Sequence, residues 1–102
     1  MEEVKIIGKA GDALMIGLSG DIDLGNAEAF YQAVMDAYKQ APTSITFDCE
    51  SLDFIDSTTL GTFVKILKAV KSDGYQMKLV NLQPKIKKLF LICSLNSIME
   101  IA

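Results

Sequence analysis

The stretch "FIDSTTLG", Phe54 to Gly61, sets one acid and three hydroxyls between an apolar pair and the start of an apolar periodicity. From its end onward Leu60, Phe63, Val64 and Leu67 fall on one face at helical spacing, while Lys65, Lys68 and Ser72 turn away. The spacing predicts a helix over 57–72, stopped by Gly74. Ser, Thr and Asp at a helix start supply oxygens to the first-turn N–H groups that have no partner within the helix. One such residue is enough for a cap, so Asp56, Ser57, Thr58 and Thr59 together ask for a further reason.

Working outward, "VKIIGK" (4–9) and "ALMIGLS" (13–19) are short apolar-rich runs broken by Gly11 and Asp12, which predicts a β-hairpin. After "GDIDLG", Asn26 is placed to cap a helix whose apolar positions Ala27, Phe30, Tyr31, Val34 and Tyr38 run to about Lys39, with Pro42 beyond. "SITFDC" (44–49) alternates Ile45, Phe47 and Cys49 as a strand does, and "YQMKLVN" (75–81) reads as another. Pro84 opens a third helix with Ile86, Leu89, Phe90 and Cys93 as its apolar stripe opposite Lys85, Lys87 and Lys88, and "SIMEIA" closes as a short strand. The order β-β-α-β-α-β-α-β predicts one α/β domain over 1–102. Its sheet is mostly parallel with an antiparallel hairpin at the start, and Phe30, Val34, Leu60, Phe63, Val64, Leu67, Leu89 and Phe90 lead the faces that cover it.

Composition removes many functions. There is no histidine, so a Ser-His-Asp arrangement is excluded, neither Cys49 nor Cys93 has an imidazole to activate it, and a metal centre or other cofactor has little to bind it. The two cysteines stand in apolar surroundings outside any C-x-x-C pair and are expected to be buried free thiols of a reducing compartment. No apolar run approaches the roughly 20 residues that cross a bilayer, and "MEEVKIIGKAG" lacks the features of a signal peptide, so the expected location is the cytoplasm, away from membranes. Residues 1–64 carry 11 acids against 3 lysines, and residues 65–102 carry 7 lysines against 2 acids. The basic half has no arginine and no aromatics interleaved with its lysines, which reads as solvated helix faces rather than a nucleic-acid surface.

The corner where the chain enters the second helix has free N–H donors and a partial positive charge, so it accommodates either an acidic cap or a phosphoryl group, and capping is the commoner use of Ser and Thr there. Pattern alone leaves both uses of Ser57 open.

"FIDSTTLGTFVKILKAVKSDGYQMKLVNLQPKIKKLF" resembles the core signature of the STAS domain, specifically the stand-alone bacterial anti-sigma factor antagonists, and "LSGDIDLGNAEAF" is similar to their second-strand loop and first helix. The resemblance spans nearly the whole chain. It implies that Ser57, directly after the aspartate, is a phosphoacceptor for a GHKL-type serine kinase that is also an anti-sigma factor. The unphosphorylated protein, a monomer when free, would bind that partner and release a sigma factor, and a serine phosphatase would reset the phosphorylated form. Asp21, Asp23, Asp56, Ser57 and Thr58 would then form the partner-binding surface, with Thr58 and Thr59 as spare acceptors. Thr59 stands where the family often has glycine, which adds bulk beside the acceptor, and Ala102 stands where relatives often continue into an amphipathic helix, so part of the sheet's cover is expected to be shortened. The acids also have a plain reading as turn and cap residues.

Two other readings compete. A STAS scaffold subunit of a signalling or lipid-transport assembly would keep the fold without using Ser57 as a switch. A small enzyme would need a base, for which only a lysine beside Ser57 is on offer.

Overall fold

The computed structural model describes residues 1–102, with the side chain of Ala10 left aside. The chain begins with the hairpin: β1 (Val4–Ala10) and β2 (Ala13–Ile22) pair antiparallel, with a bulge between Ile6 and Gly8. There follow α1 (Ala27–Gln40), β3 (Ser44–Ile55), α2 (Ser57–Ser72), β4 (Met77–Val80), α3 (Pro84–Ile92), a 3-10 turn at Leu95–Ser97 and β5 (Glu100–Ile101). The sheet order is β1-β2-β3-β4-β5, and every pair after the hairpin is parallel. Right-handed crossovers between successive neighbouring strands bring all three helices to the same side.

Strand burial accordingly alternates. Leu14, Ile16 and Leu18 of β2, Ile45, Phe47 and Cys49 of β3, and Met77 and Leu79 of β4 point into the helix layer. Phe30 and Val34 of α1, Phe63, Ile66 and Val70 of α2, and Ile86 and Phe90 of α3 meet them. Phe63 is the hub, with ring centroids 5.1 Å from Phe30, 5.4 Å from Phe47 and 5.4 Å from Phe90, all edge to face. Among the described residues, no helix is long and apolar enough to cross a membrane.

Several expectations are corrected. Strand β3 extends to Ile55, six residues past the predicted end. Irregularities in its pairing with β2 reset the alternation, so Leu52 and Ile55 point inward three residues apart and the even–odd pattern disappears from the sequence. On α2 the fully covered stripe is Thr59, Phe63, Ile66, Leu67 and Val70, while Leu60 and Val64 lie at its margin and are half-buried. On α3 Leu89 is 37 % exposed, because it lies about 80° around the helix from the direction shared by Ile86 and Phe90. Cys93 is exposed rather than buried: α3 ends at Ile92, and Cys93 is its C-cap.

Cys49 by contrast is fully buried, and burial, followed by the charge of Asp48, pushes its thiol up from 9.0 to about 12. A thiol-specific reagent is therefore expected to modify one cysteine rapidly, Cys93, in the native protein and both after denaturation; two fast equivalents in the native state would contradict the burial of Cys49. The raised folded value also fixes a sign. The contribution of Cys49 to stability is complete below the ordinary thiol range and is lost as pH rises from about 9 toward 12, because only the unfolded chain ionises there.

Tyr38, at the end of α1, donates its hydroxyl to the Asp73 carboxylate at the end of α2 across 2.6 Å. Burial, then this bond, raises the phenol, so it stays a donor well into the alkaline range. Tyr38→Phe is expected to cost about 1 kcal/mol, since Asp73 is exposed and finds water instead. The thermal midpoint should drop by roughly 4–8 °C, and an unchanged midpoint would mean the bond adds nothing.

Candidate functional site at the carboxyl edge of the sheet

Parallel pairing brings the C-terminal ends of β2 and β3 side by side, with Asp21 opposite Phe54 and Ile22 opposite Ile55. Gly20, at φ +66°, lets β2 bend at its last pairing irregularity. The loop 21–26 and the corner 56–59 therefore meet at one place, the edge of an open sheet where α/β folds put their ligands.

The four residues of the corner divide the work. Asp56 has extended backbone (φ −115°, ψ −176°) and is the cap of α2, its Oδ1 accepting from the Thr59 amide at 2.9 Å. Its Oδ2 accepts from the Leu24 amide at 2.8 Å, so one carboxylate bridges the helix and the opposite loop. The Thr59 amide chiefly, with that of Leu24, holds the carboxyl below its ordinary range against the opposing effect of desolvation, and the group is charged near neutrality.

Thr59 is completely buried, and its hydroxyl donates to the Ile22 carbonyl at 2.6 Å while lying 3.0 Å from Asp56 Oδ1. The expectation that Thr59 is a spare acceptor is thus corrected, since its oxygen is inside and engaged. Its bulk likewise points inward. Ser57 and Thr58, the first two helical residues, are exposed. Because Asp56 caps the helix, the Ser57 hydroxyl is not needed there.

Asp21 is exposed and Asp23 half-buried, so the structure brings both to the mouth of this corner. Asp23 shapes the loop: its Oδ1 accepts from the Gly25 amide at 2.9 Å and its carbonyl from the Ala27 amide at 2.8 Å. Asn26 occupies the N-cap position of α1 without making a side-chain cap bond, contrary to expectation. It faces back into the loop, accepting from the Asp23 amide at 2.8 Å and donating to the Asp21 carbonyl at 2.9 Å.

Two residues at the site escape sequence reasoning. Leu24 is 76 % exposed at the loop tip, and Phe54, read as one of an apolar pair, is 49 % exposed. Phe54 lines a cleft of about 220 Å³ with Asp53, Ile55, Lys85, Ile86 and Leu89. The available signal for Leu24 was an apolar residue between Asp23 and Gly25 that belongs to neither a strand nor a helix periodicity. Lys65, the first lysine of α2, lies over the Tyr31 ring at 4.1 Å from its centroid, two turns beyond Ser57. Among the described residues, no group of three or more His, Cys, Asp or Glu is placed to hold a metal ion.

Comparison with known proteins adds to this geometry. The sequence pattern of the STAS domain matches residues 4–102. The anti-sigma-B factor antagonist of Bacillus subtilis (strain 168) is 29% identical over 89 residues, covering 87% of this chain and 81% of its own. A solved structure of a proposed anti-sigma factor antagonist from Thermotoga maritima superimposes with a TM-score of 0.84 at 26% identity, over 96% of this chain and 82% of that one. The Bacillus cell fate determinant SpoIIAA in its phosphorylated form gives a TM-score of 0.74 at 23% identity, over 97% of this chain and 90% of its own, a likeness of fold.

Proposed function

Because the chain belongs to the STAS domain family, we propose that it is an anti-sigma factor antagonist, working as a phosphorylation-controlled partner switch with Ser57 as the acceptor. The observation that carries this reading is the division of labour at the corner. Asp56 caps α2 and Thr59 is buried, which leaves the Ser57 hydroxyl in solvent at the first helical position. A phosphate there sits among first-turn N–H groups and the positive end of the helix, which favour an anion.

The chain acts in this scheme as a substrate and a ligand. Unphosphorylated, it binds an anti-sigma factor that is itself a GHKL-type serine kinase, displacing a sigma factor in the cytoplasm. Phosphorylated, it lets go until a serine phosphatase restores the hydroxyl. The contact surface consists of Asp21, Asp23, Asp56, Ser57 and Thr58, with Leu24 as its apolar centre.

The test is incubation of the full chain with ATP and each GHKL-type ATPase encoded beside it, read by intact mass and peptide fragmentation. A single phosphate on Ser57, absent from Ser57→Ala, is expected. No transfer to Ser57 by any of them would favour the alternative, a STAS scaffold subunit of a signalling or lipid-transport assembly.

A further inference from the structure

Leu24 combines two properties that seldom go together in a surface loop. Its side chain is 76 % exposed, yet each of the five consecutive amides from Asp23 to Ala27 has an acceptor: Asn26 Oδ1, Asp56 Oδ2, Asp23 Oδ1 and, twice, the Asp23 carbonyl. An apolar group is thus held rigidly in water, the arrangement of a preorganised contact. The only one of those acceptors outside the loop is Asp56, which precedes Ser57 and lies 32 positions from Leu24 along the chain. The position of Asp56 is in turn fixed through Thr59, whose amide and hydroxyl both reach Oδ1 and whose hydroxyl is anchored on Ile22 at the end of β2.

We propose that Asp56 and Thr59 are positioning residues, forming a latch that holds Leu24 in its binding position and that opens when Ser57 carries a phosphate. The inference rests on the reading of Ser57 as phosphoacceptor and adds to it the route by which the modification reaches the docking surface. Both oxygens of Asp56 are committed in the unmodified chain. A phosphate on the next residue brings a charge of about −1.5 to −2, repels the carboxylate and competes with it for the same first-turn amides. The charged groups at this end of the site's elements are acids, Asp21 and Asp23 on the loop, Glu28 in the first turn of α1 and Asp53 near the end of β3; the first lysine of α2, Lys65, lies two turns on over the Tyr31 ring, and Lys85 stands across the cleft on α3. The weakest tie to yield is the exposed one to the Leu24 amide, since that to Thr59 lies within the helix end.

The experiment compares the full chain, the same chain with phosphoserine incorporated at position 57 during synthesis, and the Thr59→Val and Thr59→Ser variants, by nitrogen-15 NMR and amide hydrogen exchange. In the unmodified chain the Leu24 and Thr59 amide signals should titrate with one common midpoint on acidification, because they share one carboxylate. Phosphoserine should raise that midpoint and speed Leu24 exchange at least about tenfold, while the amides of Ile16 and Phe47 in the sheet keep their rates. Thr59→Val should speed Leu24 exchange in the same way, and Thr59→Ser should restore it; should the valine variant fail to fold, the phosphoserine comparison decides alone. Separate midpoints for Leu24 and Thr59, or equal Leu24 exchange with and without phosphate, would overturn the latch. Capture by an anti-sigma kinase, measured on the same samples, separates the two ideas. Phosphate that frees Leu24 without weakening capture removes the switch and leaves the latch, whereas phosphate that weakens capture with Leu24 unmoved removes the latch and leaves the switch.

Discussion

Phe63→Ala is expected to lower the unfolding free energy by about 3–5 kcal/mol, a large part of what holds a domain of this size together. Phe63 is fully buried and joins α2 to three other elements of the core, since its ring meets Phe30 of α1, Phe47 of β3 and Phe90 of α3. Truncation removes the transfer energy of the ring and leaves a cavity that three rigid neighbours close only in part. The edge-to-face pairs add roughly 0.5–1.5 kcal/mol each, and they are lost together rather than as independent contributions. Leu67→Ala, one turn on, should cost about 2–5 kcal/mol, with the larger value for the poorer collapse. The measurement is a denaturant midpoint against a control at Lys68, an exposed position of the same helix where substitution should stay within about 0.5 kcal/mol. Equal midpoints for Phe63→Ala and the control would contradict the aromatic hub.

Phosphorylation of Ser57 is expected to weaken binding to the cognate anti-sigma kinase by roughly a hundredfold or more, equivalent to about 3 kcal/mol, while the domain stays folded. Within the free domain the phosphate remains hydrated, and the N-terminus of α2 offsets part of its charge. At an interface it must be stripped of water against a surface that fits a neutral hydroxyl, among acids already present at Asp21, Asp23 and Asp56. Calorimetric titration should therefore separate the phosphorylated from the unmodified chain, and Ser57→Ala should bind like the latter. Thermal midpoints of the three should agree within a few degrees. Undiminished binding by a fully phosphorylated sample would reject the switch.

The element order and the parallel sheet could be read from the sequence because the signals there are long and local. The helix over 57–72 rests on about two turns of apolar spacing from Leu60 to Leu67, with Gly74 as its stop, and its boundaries match those of α2. The errors fall where burial is decided by a neighbour. Cys93 and Leu89 carry the right chemistry for a core stripe, but α3 is only nine residues long and ends before Cys93. The second half of β3 was hidden by bulges against β2, which no periodicity within β3 itself encodes. At the candidate site, the polar turn that enters α2 was legible and the separate tasks of its residues were not. Ser57, Thr58 and Thr59 are chemically alike in sequence. Helical phase puts Thr59 on the buried stripe one turn before Phe63, and the partner that satisfies it there, the Ile22 carbonyl 37 positions away, is what the sequence does not show.

The plain succession of strands across the sheet also bears on how the protein comes to exist. Each strand pairs with the one before it in the chain, Ala13 with Ser44 and Ile45 with Met77 at the parallel joins, so the sheet can be assembled in the order in which its strands are made. The ties that make the site, Leu24 to Asp56 and Ile22 to Thr59, lie wholly within the β2-α1-β3-α2 portion. During synthesis the Asp56–Thr59 corner can take shape as α2 leaves the ribosome, before β4 and β5 have emerged.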